Sequence, residues 1–163
     1  MTDTMSLTLP QPVLPPGIAA DVQLDKIQFQ LSQLPQLDMP LTHRFTPGLY
    51  IREIFMPAGA VVISRVHKFE HPFVVSKGRC AVWCDNDGWM FIKAPFTGIT
   101  KPGTRRLLFI AQDTIWTTFH CGTWDPNTDP ARIVAEVTDT PDVSYVAHMA
   151  RLCESKLSEL KNV

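Results

Sequence analysis

Between Leu49 and Cys121 the chain runs through eight short segments rich in β-branched and aromatic residues, punctuated by turn formers. They are LYIREIFM, AVVISRVH, HPFVVS, RCAVWC, WMFIKA, FTGIT, RRLLFIA and TIWTTFHC. Turn residues fall at Pro57-Ala58-Gly59, at Asp85-Asn86-Asp87-Gly88, at Pro95, at Lys101-Pro102-Gly103-Thr104 and at Gln112-Asp113. Asp-Gly favours the left-handed turns that join twisted hairpin strands. A parallel crossover needs a dozen or more residues, usually a helix, and no helical periodicity interrupts this stretch. The connections are therefore antiparallel hairpins, and the expected fold is an all-β sandwich or barrel.

The flanks have a different texture. Residues 1–47 read as a proline-rich arm, with Pro10, Pro12, Pro15, Pro16, Pro35, Pro40 and Pro47 opposing both helix and central strand. Within it DVQLDKIQFQLSQL fits a helix through Leu24, Ile27, Leu31 and Leu34, or a strand through Ile27, Phe29 and Leu31. Residues 48–138 hold the barrel, and its last part, WDPNTDPARIVAEV, reads as a loop and one further strand. Residues 139–163 open on Asp139-Thr140-Pro141, a cap and first-turn proline. Val143, Val146, Ala150, Cys153, Leu157 and Leu160 then recur at helical spacing. Arm and C-terminal helix both carry apolar faces suited to a homo-oligomer.

With 163 residues the chain fits one domain plus tails, and 15 basic against 16 acidic residues leave a net charge of -1. That balance gives no basic footprint for nucleic acid or an anionic membrane. No apolar run approaches the roughly 18 residues of a membrane span, and the N-terminus lacks the basic and apolar regions of a signal peptide. Cys80, Cys84, Cys121 and Cys153 lack paired CxxC spacing. A cytoplasmic setting with reduced, mostly buried cysteines is expected. Phosphate-loop, dinucleotide-binding and serine-hydrolase patterns are absent from the sequence.

The stretch with chemistry in it is HKFEHPFVVSKG, residues 67–78. In an extended strand His67, Phe69 and His71 share one face, with Lys68 and Glu70 opposite. His120 joins the two histidines if the last strand turns Trp116, Thr118 and His120 inward. The other face, Ile115, Thr117, Phe119 and Cys121, is at least as apolar, so both orientations stand. Three imidazoles with an open position suit zinc, iron or nickel. Without metal they are hydrogen-bonded polar residues of a barrel mouth. Glu70 becomes a ligand or base only if a bulge turns it inward, and otherwise faces solvent. Arg105 and Arg106 can clamp the carboxylate or phosphate of a small anionic ligand, or form a solvated edge. Lys101 and Arg65 add to such a site on a favourable register. Nothing links His43 or His148 to it.

These features resemble the cupin superfamily, whose first motif is G-x5-H-x-H-x(3,4)-E-x6-G. Gly59 precedes the cluster, His67 holds the first histidine's place, Phe69 the second's, and His71 stands where the glutamate belongs before Gly78. KPGTRRLLF is similar to the turn of the second motif, with arginine or leucine in place of its histidine. From Leu49 to Val137 the chain also looks like small cupin-like proteins of tailed bacteriophages. The resemblance implies a cupin-type jelly roll and, for a phage-encoded chain, the host cytoplasm. It leaves two functions open. One is a non-catalytic protein that binds a small ligand or protein partner through the barrel. The other is a metal-dependent oxygenase, isomerase or hydrolase whose open coordination position activates water, dioxygen or a carbonyl.

Overall fold

A computed structural model describes residues 20–84 and 88–139. The expected helix over residues 139–163, with His148 and Cys153, and the turn at 85–87 lie outside the described residues, Asp139 excepted. The fold is the all-β jelly roll expected, with two short helices packed on it among the described residues.

The ambiguous segment of the arm is a helix, α1 (Ala20–Ser32). Leu24, Ile27, Gln28 and Leu31 form its inward stripe, while Phe29 points outward. It packs beside β3 (Val61–Ile63), and its buried Asp25 meets Arg105 at 2.7 Å. The sheet begins earlier than the expected boundary at Pro47. β1 (Leu41–Thr46) pairs antiparallel with β2 (Leu49–Met56) in the register Thr46↔Leu49. Pro47, with its fixed φ, and Gly48 at φ 78° form the turn between them. A proline that looked like the end of an arm is a hairpin corner.

Two long strands organise the rest. β5 (His71–Cys84) pairs antiparallel with β8 (Arg106–Cys121) along most of its length. The outer edge of β8 takes β2 along its C-terminal half and β3 along its N-terminal half. The outer edge of β5 takes β7 (Phe96–Thr100) along its first half and β6 (Gly88–Lys93) along its second. Each long strand thus serves both layers of the roll. The register slips between Val75 and Cys80, where bulges bend the pair. Gly78 at φ 95° sits at the bend, and a Cβ there would lie 2.3 Å from the Asp113 carbonyl oxygen. The turn expected at Gln112-Asp113 is therefore a bend within a continuous strand, as is Gly78 in the strand facing it.

The segment AVVISRVH is divided instead, because Ser64 accepts from the Arg106 amide through its hydroxyl and donates its own amide to the Arg106 carbonyl. Beyond it β4 (Val66–His67) leaves the main sheet and pairs with β9 (Thr138–Asp139). WDPNTDPARIVAEV ends in a helix, not a strand. The Asp129 side chain caps α2 (Pro130–Val137), accepting from the Ala131 amide at 2.9 Å, and Pro130 occupies its first turn. Its Ile133 and Val137 bury against Tyr50. The main core lies between the layers, around Phe73, Val75, Val82, Leu108, Ile110 and Trp116.

Candidate functional site

Register brings the histidines together. Phe73 pairs with Thr118, so two residues further along each antiparallel strand His71 comes beside His120 on the same face. Their ring centroids are 4.3 Å apart. The inward face of β8 is the one carrying Trp116, Thr118 and His120, all buried. His67 completes the group at 4.7 Å from His71, but single-strand alternation is not the cause. Residues 68–70 break the strand, and Phe69 is 58% exposed. His67 is placed by its backbone instead, donating to the Thr104 carbonyl and accepting from Gly103.

The row of rings continues where the sequence suggested nothing. Tyr50 lies 6.0 Å from His120 and 5.9 Å from His43, centroid to centroid, and its hydroxyl is 2.6 Å from His43 Nδ1. His43 pairs with Arg52 across the β1–β2 hairpin, and that places it on the inward face. The signal was the Pro47-Gly48 corner, from which the register follows by counting.

Beside this row opens a cavity of about 270 Å³. Arg52, Arg65, Arg106, His67 and His120 supply its polar wall, and Ile54, Met56, Leu108, Trp116, Val134 and Val137 its apolar one. No carboxylate lines it among the described residues. Arg106 is buried. It donates to Thr100 Oγ1 at 3.0 Å, and its guanidinium carbon lies 5.3 Å from the Phe73 ring and 6.0 Å from that of Trp116. Arg105 points the other way, bonded to Asp25 and Gln28 of α1, and takes no part in the cavity. Alternation divides the expected clamp, with one arginine for the site and one for the helix. Arg65 lines the mouth and is exposed, whereas Glu70 and Lys101 face solvent away from the cavity. Cys80 and Cys84 are buried thiols, and burial pushes Cys80 up to about 11.

Burial, then His71 and Arg106, press His67 down to about 3. Burial, then His71 and Arg52, press His120 down to about 4. Burial also lowers His71, although its bond to the Phe69 carbonyl works against this. The rings are therefore neutral near pH 7, and the arginines carry the charge. His71 Nδ1 lies 3.0 Å from the Phe69 carbonyl oxygen. A carbonyl only accepts, so Nδ1 carries the proton and Nε2 holds the lone pair. This is the tautomer that a histidine ligand of a metal adopts. The rest of the arrangement does not fit one. Among the described residues no three histidine, cysteine, aspartate or glutamate side chains are disposed to hold a metal ion. Among the described residues that line the cavity, no carboxylate offsets its charge. The wall instead suits an anion, and the opposite wall an apolar body.

No family model matches the chain, and no curated protein matches it. Similar solved structures include an uncharacterized conserved protein with a double-stranded β-helix domain from Klebsiella pneumoniae. It is 16% identical, covering 55% of this chain and 82% of that one, with a TM-score of 0.47. The cupin domain of Cnp3 from Schizosaccharomyces pombe is 17% identical, covering 57% and 68%, with a TM-score of 0.44. An RmlC-like cupin family protein with a double-stranded β-helix fold, from Methanocaldococcus jannaschii, is 10% identical, covering 53% and 82%, with a TM-score of 0.44. The fold described above rests on the strand pairings themselves.

Proposed function

We propose that the protein is a binding protein whose barrel holds a small organic anion with an apolar body. The observation that carries this reading is the composition of the cavity wall among the described residues: three guanidiniums and two neutral imidazoles, with no carboxylate. Ligand pockets typically measure about 300–1,000 Å³, so a cavity of about 270 Å³ takes a small molecule. Hydrogen bonds to charged groups contribute about 1.5–3 kcal/mol each. The likeness to small cupin-like phage proteins agrees with a binding role, and the reading extends to a homo-oligomer that would present several such cavities. The test is a thermal-shift panel of carboxylates, phosphates and uncharged analogues of equal size. Stabilisation by anions alone supports the reading, and equal stabilisation by the uncharged analogues overturns it.

A divalent zinc, iron or nickel ion held by His67, His71 and His120 is the second reading, favoured by the lone pair on His71 Nε2. It requires the ring nitrogens to turn toward one point. Metal analysis of protein purified without an affinity tag tests it: stoichiometric metal that disappears in a His67→Ala, His71→Ala variant supports it, and metal-free protein overturns it.

A further inference from the structure

Three buried polar atoms of residues in and behind the cavity wall have no partner among the described residues: Arg52 Nε, His67 Nδ1 and His71 Nε2. Their requirements differ. Arg52 Nε–H only donates and needs an acceptor. His71 Nε2 presents a lone pair, as its bond to the Phe69 carbonyl dictates, and needs a donor.

His71 is 3% exposed and stands behind His67 and His120, against both rings. Its demand for a donor reaches the cavity by either of two routes. A group entering between the rings must itself donate to Nε2. Alternatively, His67 turns its single N–H toward His71, and its second nitrogen then presents a lone pair in turn. His120 Nε2 is already engaged with Thr118 Oγ1 at 3.1 Å. A plain carboxylate supplies acceptors only. It would satisfy Arg52 and set oxygen lone pairs against a nitrogen lone pair, and an unsatisfied buried group costs about 1–3 kcal/mol.

We propose that the ligand is a hydroxycarboxylate, whose carboxylate meets Arg52 and Arg106 while its hydroxyl donates to the His67–His71 pair. The apolar remainder lies on Leu108, Trp116 and Val134. This inference rests on the anion-binding reading above and narrows it. A site built to bond a hydroxyl discriminates strongly against the analogue that lacks one, because its own polar groups are left unpaired.

Three matched pairs test it on the full chain by calorimetric titration at pH 7.5: lactate and propionate, mandelate and phenylacetate, 3-phenyllactate and 3-phenylpropionate. In at least one pair the hydroxy acid should bind about tenfold tighter or more. His67→Leu should abolish that preference and His67→Asn, which keeps a donor and an acceptor, should retain part of it. Melting curves of both variants establish that they fold, and the wild-type comparison stands without them. Equal binding within every pair overturns the hydroxyl requirement and leaves anion binding intact. Failure of all six acids to bind overturns the hydroxycarboxylate assignment, and failure of the phosphates in the thermal-shift panel as well overturns the anion reading with it.

Discussion

The Tyr50 hydroxyl lies 2.6 Å from His43 Nδ1, tying the first strand of the sheet to the ring row at the centre of the barrel. Burial raises Tyr50 above the usual phenol value and lowers His43, with Arg52 as a further cause of the latter. Both groups are thus neutral near pH 7, and a single hydrogen bond joins them. Tyr50→Phe removes one buried hydrogen bond and should cost about 1–2 kcal/mol in urea unfolding. His43→Phe should cost a similar amount. The double variant should cost less than the two together, since both changes delete one shared contact. Strict additivity would mean that the bond contributes nothing.

The buried pair of Asp25 and Arg105, 2.7 Å apart, holds α1 to the barrel. Removing one member of a buried ion pair typically costs about 3–5 kcal/mol. Asp25→Ala should therefore destabilise the fold by about that amount in chemical denaturation. Anion affinity should change little, because Arg105 does not line the cavity. A large loss of affinity at unchanged stability would assign Arg105 to the wrong side.

Gly78 and Gly103 both have positive φ but different surroundings. At Gly103 a Cβ meets nothing within 4 Å, whereas at Gly78 it falls 2.3 Å from the Asp113 carbonyl oxygen. Gly103→Ala should cost about 1 kcal/mol, the strain of the left-handed region alone. Gly78→Ala adds a collision between β5 and β8 and should cost more than about 3 kcal/mol or prevent folding. Thermal melts distinguish the two.

The neutral histidines make stability fall with acid. Their folded-state values lie below 6.5, about 3 for His67 and about 4 for His120. The unfolded chain therefore binds protons first as pH drops. Stability is fully present above pH 6.5 and is lost progressively toward pH 4 to 3, by about 1.4 kcal/mol per pH unit for each ring. Urea midpoints at pH 7.5, 6 and 5 should decline, and less steeply in His120→Gln. A flat profile would mean that the rings protonate freely in the folded protein.

Much of this architecture is legible in the residues. β2 and β7 fall where alternation and turn formers put them, because short strands of a half-buried sheet carry both signals. β5 and β8 do not, since Gly78 and Gln112-Asp113 divide the apolar runs along the chain and become bends only when the paired strand is present. α2 was signalled by Asp129-Pro130, but Ile133-Val134 in so short a segment reads equally as strand. Among the site residues, His67, His71 and His120 come together, but through the β5–β8 register and the backbone bonds of His67 to Gly103 and Thr104, not through alternation along one strand. His43 and Arg52 enter through the β1–β2 register, Glu70 drops out in the exposed break at residues 68–70, and Arg105 drops out because it turns to Asp25 and Gln28 of α1.

The most direct test of the account is the affinity of 3-phenylpropionate for the wild type and for Arg52→Met, with 3-phenylpropanol as the uncharged control. Charge recognition by the cavity wall predicts that the acid binds, that the alcohol binds at least about tenfold more weakly, and that Arg52→Met loses about tenfold or more for the acid alone. Equal affinities for acid and alcohol, or an Arg52→Met variant that binds the acid as well as the wild type does, would contradict it.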